Sequence, residues 1–67
     1  MEILLNNRKE TIDKDRISVN DLLKVKKFTF KLLVTKINDK LIKKDERDSA
    51  IIVDGDKVTV LHMISGG

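Results

Sequence analysis

Asp54-Gly55-Asp56-Lys57-Val58-Thr59-Val60-Leu61-His62-Met63-Ile64-Ser65-Gly66-Gly67 closes the 67-residue chain, and its reading decides the fold. Asp-Gly is a turn pair, since Gly takes positive φ at no steric cost and Asp hydrogen-bonds nearby backbone. Lys57 to Ile64 follows as a strand rich in apolar and β-branched residues. If its Val58 and Val60 face the core, alternation turns Thr59, Leu61 and Met63 to the other face. Ser65-Gly66-Gly67 then trails off with no side chain large enough to pack.

Upstream, Ala50 to Val53 is apolar and Lys44 to Ser49 is wholly polar, which reads as a surface connection with room for one short helical turn. Lys31 to Ile37, the turn pair Asn38-Asp39 and Lys40 to Lys43 make a hairpin. Ser18 precedes Val19, Leu22 and Leu23 at helical spacing, with Asp21 three residues on, so the spacing predicts a helix capped by Ser18 and running to about Lys27. Its apolar face is narrow and needs a sheet to lie on. Met1 to Asn6, the turn-prone Asn6 to Lys9, and the alternating Glu10 to Lys14 make a first hairpin. The order is ββαββ, a connection, then β.

One helix covering one face of a mixed sheet of four to five strands is an α+β domain. The β-grasp arrangement satisfies this order, with the last strand at the sheet centre, parallel to the first. Two central parallel strands account for Met1 to Leu5 and Val58 to Ile64 being the most continuously apolar stretches. The expected organisation is one domain over residues 1–64 and a flexible tail over 65–67.

Composition narrows the function. The chain is 40% apolar and 37% charged, with two Phe and no Pro, Cys or Trp. A core of this length is near the lower limit for independent folding, so a deep enclosed active site is not expected. The absence of Cys excludes disulfides and thiolate metal sites, and a single His supplies too few nitrogen ligands for a structural zinc. A net charge of +3 permits an anionic partner without requiring one. Lys24 to Lys31 carries four lysines around Phe28 and Phe30, the ingredients of a nucleic-acid platform. Lysines on a solvated face with both Phe in the core is the reading preferred, because so small a core needs them. No apolar run approaches the roughly 20 residues of a membrane span, and there is no signal-peptide pattern, so a soluble cytoplasmic domain is expected.

Catalysis by the chain alone is not expected. His62 lies in the last strand without a Cys or a recognisable orienting carboxylate, and Asp45, Glu46, Asp48, Asp54 and Asp56 match no calcium-loop spacing. Solvated acids and turn chemistry explain them. The terminal diglycine is different: an arm without Cβ atoms can thread a narrow channel and lets a reagent approach its carbonyl closely. A carboxylate is inert to nucleophiles, so the sensible chemistry is ATP-dependent adenylation by another protein, then attack by sulfur or an amine, with the carried group on Gly67. A frayed tail is the other reading. The open-face pair Leu61 and Met63 likewise reads either as a docking patch or as ordinary exposed surface.

These residues resemble the thiamine-biosynthesis sulfur carrier proteins, small ubiquitin-like β-grasp domains ending in Gly-Gly. The resemblance covers the whole chain: the Asn6-Asn7 turn, the Ser18 to Leu23 helix start, Leu32 to Ile42 around Asn38-Asp39, and, most specifically, Asp54-Gly55-Asp56 ahead of Ile64-Ser65-Gly66-Gly67. It implies that the protein is a co-substrate and not an enzyme, holding no cofactor. Gly67 would be adenylated by a partner related to ubiquitin-activating enzymes, which uses ATP, and converted to a thiocarboxylate with sulfur from a cysteine desulfurase-type donor. Thiazole synthase would receive the sulfur. Gly66 would supply the slim tail, and Leu61, Met63 and Ile64 would border the partner surface. The chain departs from the family pattern at Asp15-Arg16, commonly Gly; at Arg47, where Trp is frequent; and at Asn38-Asp39, often Asn-Gly. Alternatives are a carrier serving molybdopterin synthesis or tRNA thiolation, a ubiquitin-like protein modifier, or a module binding RNA through Lys24 to Lys31.

Overall fold

Two asparagine-led turns set the register of the main sheet. In the computed structural model, which describes residues 1–28 and 32–62, Asn6 and Asn7 have φ of 52° and 67°, and Asn38 and Asp39 have 49° and 69°. Two consecutive left-handed residues are what a two-residue hairpin turn requires, and Asn and Asp tolerate that region best after Gly. The first turn joins β1 (Glu2–Leu5) to β2 (Arg8–Thr11), and the second joins β4 (Leu33–Ile37) to β5 (Lys40–Ile42). The last strand, β7 (Lys57–His62), lies between them, parallel to β1 and antiparallel to β4, in the order β2-β1-β7-β4-β5. The β-grasp arrangement with a central last strand is therefore present. Met63 and Ile64, assigned by sequence to the same strand, lie outside the described residues.

The helix, α1 (Val19–Val25), begins as its cap dictates: Ser18 Oγ accepts the Asp21 N–H at 3.1 Å. It ends two residues earlier than its apolar spacing suggested. Lys27 adopts φ 59°, and the Phe28 and Lys27 N–H groups donate back to the Leu23 and Lys24 carbonyls. That pattern satisfies the last carbonyls of the helix, with a lysine where glycine usually stands. Val19, Leu22 and Leu23 are buried with Ile3 and Leu5 of β1 and Val58 and Val60 of β7, forming the core between the helix and one sheet face. Phe28 is half-buried against it, while Phe30 lies outside the described residues.

Two elements are additional to the sequence-based order. β3 (Arg16–Ser18) and β6 (Ile51–Val53) pair antiparallel through Ile17 and Ile52, both buried, as a separate two-stranded ribbon. Three residues are too few to display a period of two, and the partners are 35 residues apart, so neither announced itself. The segment from Lys44 onward does form a short 3-10 turn, Lys44–Glu46. It is not wholly a surface connection. Arg47 is only 8% exposed: its Nε–H donates to Thr35 Oγ1 at 3.2 Å and its second guanidinium nitrogen to the Leu33 carbonyl at 2.6 Å. The polar connection thus sends a cation under β4.

Candidate carrier end and docking face

The site is built on β7, and what lies beside that strand determines what it can present. Gly55, at φ 87°, makes the turn that delivers the chain into β7. Its N–H donates to the Glu2 carbonyl at 2.8 Å, and Asp54 Oδ1 accepts the Glu2 N–H at 2.7 Å. Asp56 accepts from the Val53 N–H at 2.9 Å and from Asn38 Nδ2 at 3.1 Å, while Asn38 Oδ1 accepts the Lys57 N–H at 2.9 Å. The carboxylates of the Asp-Gly-Asp turn are therefore spent on pinning β1, β6 and the β4–β5 turn to the start of β7. Turn chemistry accounts for both carboxylates.

Further along, Asn6 has a role the sequence alone did not suggest. The β1–β7 ladder has its backbone register at Leu4 with Lys57 and Leu5 with Val58, after which β1 turns away. The Asn6 N–H still reaches the Val58 carbonyl at 2.9 Å, and its side-chain amide then makes both bonds to Val60, accepting the Val60 N–H at 2.8 Å and donating to the Val60 carbonyl at 3.1 Å. A carboxamide has the donor and acceptor of a peptide group, so Asn6 supplies one more rung after the backbone has left. Of its two signals, the left-handed turn was legible, and the clamp was not.

Leu61 stands where alternation placed it, on the face away from the helix, 48% exposed and in register with Val34. Leu4 and Leu41 are also exposed on this face. In sequence, Leu4 sits between Ile3 and Leu5, so its own strand does not mark it as the outward residue, and the three residues of β5 are too few to show a period of two at Leu41. Met63, Ile64, Gly66 and Gly67 lie outside the described residues. His62 is exposed at the end of β7, in register with Leu33. In the Lys24 to Lys31 run, Lys24 and Lys27 are exposed, Lys26 pairs with Glu10 at 2.8 Å and Phe28 packs against the core, as the solvated-face reading expects of those residues; Phe30 and Lys31 lie outside the described residues. Among the described residues, no helix is long and apolar enough to cross a membrane.

A five-stranded mixed sheet with a central carboxy-terminal strand and one covering helix agrees with the comparisons. The model of the ThiS family matches residues 2–67, the whole chain but its first residue. The chain belongs to the ThiS family. The crystal structure of thiamine biosynthesis protein ThiS from Geobacter metallireducens is 25% identical, with all of both chains covered and a TM-score of 0.90. An NMR solution structure of a thiamine biosynthesis protein from the same organism is also 25% identical, covering all of this chain and 88% of that one at a TM-score of 0.81. No curated protein matches the chain. Two departures from the expected ThiS pattern now have physical accounts. Asp15 turns the chain toward β3 without a positive φ, and Arg47 fills its position with hydrogen bonds in place of an aromatic ring.

Proposed function

We propose that the protein is a sulfur carrier of thiamine biosynthesis, a co-substrate handed between enzymes in the cytoplasm. The observation that carries this reading is the family match extending through Gly67, on a fold whose central strand runs last and leads to that end. Residues 1–64 act as the domain to be gripped, and residues 65–67 as the arm. A terminal carboxylate oxygen of Gly67 attacks the α-phosphorus of ATP on an adenylating enzyme and pyrophosphate leaves. The outer sulfur of a persulfide on a cysteine desulfurase-type donor then attacks the carbonyl and displaces AMP, giving an acyl disulfide. A thiol cleaves its S–S bond, becoming a disulfide with the donor sulfur and releasing a thiocarboxylate that delivers sulfur to thiazole synthase. Gly66 keeps the arm slim enough for the enzyme channel. Leu61, Met63 and Ile64 contribute to the gripped surface.

This assignment is tested by incubating the chain with its adenylating enzyme, ATP and a sulfur source, and measuring the intact mass. Exchange of one oxygen for sulfur is expected, lost on deletion of Gly67 with the melting temperature unchanged. Absence of the exchange with cognate enzymes would sink the carrier reading; a large drop in melting temperature on deleting Gly67 would show the tail to be structural.

A further inference from the structure

The sheet face that carries Leu61 is charged as well as apolar. Register and alternation put Lys9 beside Leu4, Leu4 beside Lys57, and Lys36 between Thr59 and Leu41 on this one face. Among the described strand positions, Glu2, opposite Thr11, is the one carboxylate that shares it. Several other acids are engaged away from it. Glu10 pairs with Lys26 on the helix side, Asp54, Asp56 and Glu46 accept backbone N–H groups, and Asp48 accepts from Asn20 Nδ2. Asp39 approaches Lys57 only to 3.9 Å with its side chain 84% exposed, a pairing that neutralises little. Three lysines against one glutamate give the strand positions of this face a net charge of +2, in a chain whose net charge is +3.

We propose that this face is an electrostatically steered docking surface for a protein partner that is apolar at the centre of its own contact and carries carboxylates where Lys9, Lys36 and Lys57 stand. The inference rests on the carrier reading, which supplies an enzyme that must grip the domain. Four aliphatic side chains, Leu4, Val34, Leu41 and Leu61, give adhesion without direction. The ammonium groups give direction. Strands lie about 4.8 Å apart, so Lys9 and Lys57, two strands removed, stand about 10 Å apart, near the Debye length of about 8–10 Å in physiological salt, and their fields overlap. A second copy of the chain is disfavoured, since face-to-face pairing would oppose lysines to lysines. A nucleic acid is disfavoured by the absence of an aromatic side chain among the described positions of this face.

The experiment uses the full chain and its cognate adenylating enzyme, with association followed by stopped flow at low and high salt. At low salt, Lys57→Glu and Lys9→Glu slow association about tenfold each, and Lys36→Gln, chosen because Lys36 is half-buried, about threefold; high salt removes the differences. Lys44→Glu, an equal change of net charge in the connection after β5, stays within about twofold of the parent. Equal slowing by Lys44→Glu, salt-insensitive association of the parent, or displacement of the enzyme by a single-stranded RNA would each overturn the proposal. The same mixtures, read by intact mass at saturating enzyme, separate the two readings. Sulfur exchange with unaffected association in the lysine variants rejects the docking face alone, whereas no exchange in the parent removes the carrier reading and the docking face with it.

Discussion

The buried Arg47 makes an unusual stability prediction, because removing the charge should cost far less than removing the hydroxyl that holds it. Thr35 is fully buried; its hydroxyl donates to the Ile42 carbonyl at 2.8 Å and accepts from Arg47 Nε at 3.2 Å. Among the described residues no carboxylate pairs with the guanidinium. Thr35→Val is isosteric, but it strands a charged donor, at about 1.5–3 kcal/mol, and deletes a neutral bond worth about 1 kcal/mol, for a loss of about 3 kcal/mol. Arg47→Met removes the cation together with its bonds and recovers its desolvation, while Thr35 keeps its bond to Ile42; the net change is within about 1 kcal/mol. The double variant then sits about 1–2 kcal/mol below the parent, a coupling of about 2 kcal/mol. A chain of this length is stable by about 3–10 kcal/mol, so Thr35→Val consumes a large part of it and lowers the melting temperature by about 12–24 °C. Thermal and urea unfolding of all four proteins by circular dichroism measure the cycle. If Arg47→Met falls as far as Thr35→Val and the two losses add, the account of a costly buried charge held by Thr35 is wrong.

Three further perturbations probe the features around β7. Asn6→Ala removes both side-chain bonds to Val60 and should cost about 1–3 kcal/mol; in native-state hydrogen exchange the Val60 amide should lose protection ahead of the β4 amides, and unchanged protection there would contradict the clamp. Gly55→Ala meets no atom within 4 Å of the added Cβ, so only the left-handed backbone opposes it; a loss of about 1–2 kcal/mol is expected in thermal melts, with Gly55→Asn retaining about half. Leu61→Asp replaces an exposed side chain and should leave stability within about 0.5 kcal/mol while weakening binding to the adenylating enzyme by about tenfold or more; unaltered affinity would remove Leu61 from the gripped surface.

Much of the fold is legible because its signals are local. Asn6-Asn7 and Asn38-Asp39 declare hairpins through the few residues that tolerate positive φ, Ser18 declares a helix start through its hydroxyl, and the alternation from Val58 to Leu61 assigns faces one residue at a time. The ribbon of Arg16–Ser18 with Ile51–Val53 is not legible, since each half is shorter than the repeat needed to recognise it and is stabilised only by the other. Arg47 misleads for the opposite reason. A lone arginine in a polar stretch is ordinarily solvated, and nothing nearby in sequence reveals that Thr35, 12 residues away, has a hydroxyl waiting beneath it. The docking face is intermediate. Leu61 can be read from its own strand, but Leu4, Val34, Leu41 and the three lysines become one surface only when five strands are placed in order.

By itself, the sequence determined that this is a small α+β fold without cysteine chemistry of its own, and that the strand ahead of its diglycine has two different faces. These follow from composition, turn residues and a period of two, which act over a few bonds. The tertiary structure decided what surrounds that strand: the pinned Asp-Gly-Asp turn, the Asn6 amide standing in for a missing rung, the cation under β4, and lysines gathered on the open face. Each is a contact between segments distant in sequence, where energy depends on geometry in space and leaves no periodic trace along the chain.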